Sequence, residues 1–237
     1  MGFLSQGEQA EGILGALLQR LSFAAQRRSL GLYLALILLT LMVAMLELTV
    51  DPISAWEHSL RTVFGLVVPV SATFSVLASS RVLASPMYAS ALAARHGANR
   101  RQHYAASLLA ATAFVMAHTV VALVLCRAIS HSATEATFNL DLVHCCGIGC
   151  LTAAAYIGFI GAAARVGSGR IAAWAAFGLD LILGHVEAAW AAIVPRWHVL
   201  NLIGHPSVTF LSARASSWIL LGFVLLGIAI AIAKTPK

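Results

Sequence analysis

Residues 31–50 read GLYLALILLTLMVAMLELTV, an apolar run in which Glu47 is the single charged residue. A helix of twenty residues is about 30 Å long, which matches the thickness of the hydrocarbon core of a bilayer. Five further apolar stretches follow, at approximately 62–83, 104–126, 142–164, 171–193 and 216–233. Because backbone groups in lipid must bond within their own segment, all six stretches are predicted to be membrane-crossing helices.

The composition of the whole chain agrees with this prediction. Of its 237 residues, 60% are hydrophobic and 10% are charged, whereas soluble domains have about 45–50% apolar and about 25% charged residues. The fold class is therefore predicted to be all-α and polytopic. The net charge of +6 does not indicate nucleic-acid binding, because the two lysines, Lys234 and Lys237, end the chain and the arginines lie at span ends.

The arginines and lysines predict the orientation of the six helices. Eleven fall on one side of the predicted spans and four on the other, which accounts for all 15 (11 + 4). The positive-inside rule places the richer side in the cytoplasm, so both termini are expected there, in a cell inner (plasma) membrane. The richer side holds Arg20, Arg27, Arg28, Arg81, Arg95, Arg100, Arg101, Arg165, Arg170, Lys234 and Lys237, and the other holds Arg61, Arg127, Arg196 and Arg214.

Residues 1–29 differ from the transmembrane domain predicted over 30–237. Leucines recur at helical spacing between positions 14 and 21, with charged and amide residues on the other faces. This pattern predicts an amphipathic helix over 8–29 that lies on the cytoplasmic membrane surface. A helix packed on a protein partner is the alternative.

The cytoplasmic segment 84–103 carries start and stop signals for a short helix over about 86–96. Ser85 and Pro86 are typical of a helix start, and Gly97 is typical of a helix end. This arrangement favours a docking element over an ordinary basic loop. Its candidate contact residues are Arg95, His96, Gly97, Arg100 and Arg101.

The outer segment 194–215 is too apolar for a solvated loop. It contains Pro195, Trp197 and Pro206, and most of its residues between 199 and 203 are aliphatic: Val199, Leu200, Leu202 and Ile203. We predict two short re-entrant or interfacial helices, with Trp197 near the lipid headgroups.

The fifth predicted span contains charged residues, which are costly within a membrane. On a continuous helix Asp180 and Glu187 share a face, with Gly184 between them, while His185 points about 140° away from Asp180. One interpretation is a polar stripe facing a translocation path or a subunit interface, with Gly184 allowing a second helix to approach. In the alternative, Glu187 reaches towards the outer surface and Asp180 pairs with a neighbouring hydroxyl or histidine.

Other candidate groups favour packing over chemistry. His118 and His144 lie in spans and could ligate haem, but hydrogen-bonded packing is the preferred interpretation. Cys145, Cys146 and Cys150 do not have zinc spacing, so no metal site is predicted. The chain has no G-x-S-x-G, H-E-x-x-H or Walker A motif, so hydrolysis of a nucleotide would require a separate subunit.

The layout resembles the membrane (permease) subunit of type-2 ABC transporters. The matching pieces are the amphipathic helix at 8–29, the capped helix and basic turn at 86–103, and the apolar outer segment at 194–215. The resemblance implies that 86–103 is the coupling helix that docks on the ATPase, and that the outer segment caps the path. It also implies two permease copies, identical or homologous, with two ATPase subunits that use ATP, so that this chain needs no cofactor of its own.

The function expected from the sequence is therefore that of a non-enzymatic transport subunit, with export favoured because the outer loops are small. By span, the resemblance places Asp180 and Glu187 near the path. Two other classes stay open: a haem-bearing redox protein that uses His118, His144 and His185, and a non-transporting membrane scaffold of a larger complex.

Overall fold

The computed structural model describes seven stretches of the chain: 30–51, 55–83, 100–130, 141–166, 169–186, 188–204 and 211–233. Within them every regular element is helical, with no strand. The elements are α1 (Leu30–Val50), α2 (Ala55–Thr62), a π-helical turn (Val63–Val67), α3 (Val68–Leu83), α4 (Arg100–Ser130), α5 (Leu142–Val166), α6 (Arg170–Leu183), a 3₁₀ turn (Ala189–Ile193), α7 (Pro195–Leu202) and α8 (Ala213–Ile232).

Five helical stretches in the described part are long and apolar enough to cross a membrane. They are Leu30–Val50, Ala55–Ser80, Ser107–Ser130, Leu142–Arg165 and Ala213–Ile230. The predicted all-α fold with membrane-spanning helices is confirmed at this level. α1 leaves large apolar side chains uncovered along its length, with Leu38, Met42 and Leu46 each more than 60% exposed, as expected of a helix surrounded by lipid.

The second spanning helix is continuous from α2 through the π-helical turn into α3 and begins at Ala55, seven residues before the predicted start. Pro69 lies just beyond the π-helical turn. In a regular α-helix the N–H of residue 69 would bond to the carbonyl of Gly65, but proline has no N–H. The irregular turn therefore leaves the Gly65 carbonyl oxygen free to accept a hydrogen bond from elsewhere in the protein.

α5 is the central helix of the bundle and packs against α3, α4, α6 and α8. At its crossing with α8 the two backbones touch. A Cβ atom on Gly158 would collide with the carbonyl oxygen of Phe223, and one on Gly227 would collide with the Cα of Gly158. Glycine at these two positions is thus what permits the approach, as at many helix crossings in membranes.

The fifth predicted span is not one continuous helix. α6 ends at Leu183 after 14 residues, about 21 Å of helix, where an unbroken helix over 171–193 was predicted. The 3₁₀ turn and α7 follow as separate short elements. The break occurs at Gly184, a residue with low helix propensity, and brings the side chain of Arg196 against the end of α6.

The predicted outer segment 194–215 is described at 194–204 and 211–215. In this part it contains one short helix before α8, namely α7, which has Pro at its first position, and the 3₁₀ turn lies upstream of residue 194. Trp197 is 1% exposed, so its side chain is packed within the protein. α7 buries its side chains from Pro195 to Leu200 inside the bundle, where an apolar sequence is stable.

Several predicted features lie outside the described residues. They are the amphipathic helix over 8–29, the short helix over 86–96 with Arg95, His96 and Gly97, and Glu187. Arg100 and Arg101 are the first two residues of α4.

Candidate functional site

A buried polar cluster lies where α6 ends and α7 begins. Its centre is the carboxylate of Asp180, which is 0% exposed. The hydroxyl of Tyr156, itself fully buried on α5, donates a hydrogen bond of 2.8 Å to Asp180 Oδ2. This inward placement agrees with the high cost of presenting a carboxylate to lipid.

Arg196 is the charge partner of Asp180. Its backbone N–H donates to Asp180 Oδ1 at 2.9 Å, and its Nε donates to Asp180 Oδ2 at 3.3 Å. Both side chains are at least 96% buried. The pair therefore removes two opposite charges from solvent together, which is the arrangement in which buried charges are tolerated.

The same carboxylate caps the first turn of α7. Val194, the residue before this helix, has no side-chain capping group, and Pro195 supplies no N–H. Asp180 accepts the N–H of Arg196, the next residue, from across the junction. A negative charge at a helix N-terminus also interacts favourably with the helix dipole, so one residue of α6 fixes the start of α7.

The guanidinium of Arg196 reaches two further groups. Its Nη1 lies 3.1 Å from Nε2 of His185, and its Nη2 donates to the carbonyl oxygen of Gly65. Because arginine nitrogens only donate, His185 must accept with an unprotonated Nε2. The Gly65 carbonyl is the one that Pro69 leaves without its helical partner. Arg196 thus links α6, α7 and the π-helical turn of the second spanning helix.

Gly184 makes room for this arginine. A Cβ atom at Gly184 would lie 2.6 Å from Cβ of Arg196 and closer still to Cγ and Cδ. The sequence predicted that Gly184 would admit a neighbouring helix. What it admits is the aliphatic part of the Arg196 side chain.

α7 is also bonded to α8. His198 Nε2 donates to the carbonyl oxygen of Ala192 at 2.7 Å, and its Nδ1 lies 3.2 Å from the hydroxyl of Ser216. Asn201 donates to the same hydroxyl at 2.8 Å. Burial lowers the pKa of His198, and the hydrogen bond to Ala192 opposes this less strongly. The short helix is therefore tied to the bundle on two sides.

The cluster is suited to holding elements together. Asp180 accepts hydrogen bonds from Tyr156 and from two nitrogens of Arg196, which engages both carboxylate oxygens. The charges of Asp180 and Arg196 cancel, and His185 is neutral. A saturated, neutral cluster of this kind stabilises one arrangement of α6 and α7, and no described group in it is poised as a nucleophile.

The structure brings some predicted residues together and separates others. Asp180 and Gly184 both contact Arg196. His185, predicted to point away from Asp180, joins the same cluster because the helix ends before it. The predicted face shared by Asp180 and Glu187 requires one continuous helix, but the helix that carries Asp180 ends at Leu183, and Glu187 lies outside the described residues.

His118 is a hydrogen-bonded packing residue, as the sequence interpretation preferred. Its Nδ1 lies 2.9 Å from the hydroxyl of Ser71, and its Nε2 lies 3.1 Å from the carbonyl oxygen of Tyr33. Both ring nitrogens are engaged, which leaves neither for a haem iron. His144 is exposed in the first turn of α5, where the side chain of Asp141 accepts its backbone N–H.

The cysteines and possible metal ligands give no centre in the described residues. Cys126, Cys145, Cys146 and Cys150 are free thiols. No three His, Cys, Asp or Glu side chains of the described stretches are grouped closely enough to hold a metal ion.

Sequence reasoning missed three members of the cluster: Arg196, Tyr156 and Gly65. Two signals were available. Arg196 is a charged residue in an apolar segment directly after a proline, the position at which a helix starts with a free N–H. Pro69 stands four residues after Gly65, which marks an unpaired carbonyl within a spanning helix. Nothing in the sequence pairs these signals with Asp180.

Comparison with known proteins identifies no relative: no family model, no curated protein and no solved structure matches the chain.

Proposed function

We propose that this chain is the permease subunit of an ABC transporter of the exporter type. In this proposal two permease copies, identical or homologous, work with separate ATPase subunits in the plasma membrane. The chain itself binds no nucleotide. Both of its ends lie in the cytoplasm, and segment 84–103 docks on the ATPase.

One observation carries this proposal. The segment after α6 does not leave the bundle as a solvated loop. α7 lies inside the bundle and is held there by the Asp180–Arg196 pair. Asp180 lies about ten residues, or roughly 15 Å, beyond the start of α6. A short helix that folds inward at one end of a membrane bundle supports the interpretation of this region as the outer segment that caps a translocation path.

The position of the cluster adds a second argument. Charged groups within membrane segments face protein or a water-filled path, and irregular backbone at membrane depth occurs where it is buried in protein or lines a cavity. The break after Leu183 and the charge pair occur at the same place. In the proposed dimer this place lies beside the path, where movement of α7 would open or close its outer end.

The direct test is purification from native membranes with an affinity tag on the chain. We expect an ATPase subunit to co-purify, and ATP turnover to require that subunit. Robust ATP hydrolysis by the isolated chain would falsify the permease proposal.

A charge-reversal variant locates the docking site. Arg95→Glu combined with Arg100→Glu places two acidic groups where the proposal needs basic ones, and like charges at an interface cost several kcal/mol. Co-purification of the ATPase should fall at least tenfold while membrane insertion is unchanged. Arg214→Glu, at an exposed position on the opposite predicted side, is the control. Equal recovery of the ATPase with the double variant and the control would contradict the docking assignment.

A further inference from the structure

An apolar groove of about 360 Å³ opens between α4, α5 and α8. It is lined by residues of segments 105–112, 154–158 and 224–228. The polar side chain in this lining is Thr112, and its hydroxyl already donates to the carbonyl oxygen of Leu108 at 2.8 Å. The groove therefore offers apolar contact without an unsatisfied polar group. All three segments belong to helices long enough to cross the membrane, so the material that reaches the groove is hydrocarbon.

An arginine lies beyond one end of this groove. Arg165, near the end of α5, places its guanidinium over the ring of Tyr104, 4.8 Å from the centroid. Its Nη2 is buried and has no hydrogen-bond partner in the described part of the chain. The residue as a whole is half-buried, so a rotation of the guanidinium would bring the covered Nη2 to an anionic group at the protein surface.

The groove and the arginine are continuous in space. Leu108 lines the groove and also packs at Gly161, where a Cβ atom would lie 3.2 Å from Leu108 Cδ2. The hydroxyl of Tyr104 donates to the carbonyl oxygen of Gly161 at 2.9 Å. Arg165 follows Gly161 by one helical turn and lies about 10.5 Å along α5 from Gly158 in the groove.

From this juxtaposition we propose that the groove binds one acyl chain of an anionic phospholipid, whose phosphate pairs with Arg165. The apolar lining matches the acyl chain. The guanidinium, whose Nη2 has no hydrogen-bond partner among the described residues, matches the phosphate, which arginine binds through two donors. The groove and the Arg165 guanidinium are separated along the helix axis. In a bilayer the acyl chain and the headgroup of a lipid are likewise separated along the membrane normal, which a spanning helix roughly follows.

This site is separate from the Asp180–Arg196 cluster and does not depend on the transport proposal. It predicts a lipid that remains with the protein through purification. The preference should be for a headgroup with net negative charge. Phosphatidylcholine carries the same phosphate, but its choline cation cancels the charge that Arg165 would pair with, whereas phosphatidylglycerol has no such cation.

Native mass spectrometry of the full-length protein in detergent tests the charge preference. Phosphatidylglycerol and phosphatidylcholine with the same acyl chains are the probes. We expect wild-type protein to retain one phosphatidylglycerol with about tenfold higher affinity, and Arg165→Gln to reduce that ratio to about twofold or less. Arg170→Gln is the matched control, because Arg170 is an exposed arginine at the same predicted side. No preference in the wild type, a full preference in Arg165→Gln, or an equal loss in Arg170→Gln would overturn the proposal.

Photocrosslinking of the wild-type protein tests where the lipid acyl chain binds, and it requires no variant. The probe is phosphatidylglycerol with a diazirine on one acyl chain, and the modified peptides are identified by mass spectrometry. Segments 105–112, 154–158 and 224–228 should be labelled several-fold more than the lipid-exposed face of α1. The phosphatidylcholine analogue should label both evenly. Even labelling by the phosphatidylglycerol probe would show ordinary boundary lipid and defeat the proposal.

Discussion

Arg196 joins three elements: it belongs to α7, and it bonds to Asp180 of α6 and to Gly65 in the π-helical turn. Two sites in this junction lack a local partner because of the sequence around them. Pro69 removes the donor for the Gly65 carbonyl, and Val194 and Pro195 leave α7 without a cap. The carboxylate of Asp180 then balances the charge. The cluster thus satisfies backbone groups that the local sequence leaves without a hydrogen-bond partner, and it neutralises the two buried charges.

This interdependence predicts how the charge pair responds to substitution. Asp180→Asn keeps the size of the side chain but leaves the Arg196 charge buried without a counter-ion, which should lower stability by about 3–5 kcal/mol. Arg196→Gln should have a similar effect. The double variant should lose clearly less than the sum of the two, because it removes both charges. Thermal unfolding in detergent, followed by size-exclusion chromatography, measures all three.

Glu57→Gln is the control for this series. Glu57 and Arg61 form a partly exposed pair four residues apart on one helix, and such pairs contribute about 0.3–0.5 kcal/mol. Its unfolding temperature should stay close to that of the wild type. If Asp180→Asn were as stable as this control or more stable, the carboxylate would be a tolerated burden and not the partner of Arg196.

Gly184 gives a second test at the residue scale. In Gly184→Ala the new methyl group would collide with three carbons of the Arg196 side chain. That side chain is fixed by its own hydrogen bonds, so we expect a loss of at least 2 kcal/mol, the range of overpacking in a full site. Gly178→Ala on α6 is the matched control, because a Cβ there meets nothing within 4 Å. It should be neutral or slightly stabilising, since alanine has the higher helix propensity.

At the scale of the elements, the close crossing of α5 and α8 rests on two glycines. Gly158→Ala and Gly227→Ala would each push a methyl group into the backbone of the other helix. Backbone cannot move aside as a side chain can, so each should lower the unfolding temperature markedly, by the equivalent of about 2–3 kcal/mol. Gly222→Ala on α8, where a Cβ meets nothing within 4 Å, should leave it unchanged. Equal stability of Gly227→Ala and Gly222→Ala would contradict the observed crossing.

The elements also show how far sequence reasoning reaches. Helix 31–50 and helix 142–164 were predicted within two residues of their observed ends, because lipid demands about twenty apolar residues and permits little else. The span at 171–193 was wrong in its continuity. Hydropathy shows that residues 184–193 are largely apolar, but it does not show that the α-helix ends at Leu183 and that a 3₁₀ turn follows from Ala189.

The candidate site was predictable in part for the same reason. Asp180 stands out because a charge in an apolar span is costly. Its partner does not stand out, because Arg196 lies sixteen residues away and is brought close only by the break at Gly184. The alternative prediction, that Asp180 pairs with a neighbouring hydroxyl or histidine, agrees with the hydrogen bond from the Tyr156 hydroxyl, but it did not include Arg196.

At the scale of the whole molecule, contacts between helix ends determine which ends lie together. Arg127, near the end of α4, lies over the ring of Trp56 at the start of α2, and Glu47, near the end of α1, pairs with His58. At the opposite end Arg165 of α5 lies over Tyr104 of α4. Each contact joins residues that the arginine and lysine distribution placed on one side of the membrane.

The direction of α8 follows from its own contacts. Ser216, near its start, bonds to His198 of α7, while Gly227, further along, meets Gly158 of α5 in the groove that leads towards Arg165. α8 therefore runs in the same direction as α5. Since α1 runs towards His58, the start of α1 and the end of α8 lie towards one end of the bundle.

This common end predicts the topology of the chain in the membrane. The predicted spans assign 11 of the 15 arginines and lysines to the side of Arg165 and the start of α4, so the positive-inside rule predicts that this side is cytoplasmic. In a variant whose four native cysteines are replaced by alanine, a cysteine at Ser132 should react with an impermeant maleimide added to intact cells. A cysteine at Ser90 should react only after the membrane is permeabilised. Because the start of α1 and the end of α8 lie towards the Arg165 end of the bundle, labelling of Ser90 from outside would mean that the whole molecule is inverted in the membrane. The proposed docking segment would then be out of reach of any cytoplasmic ATPase.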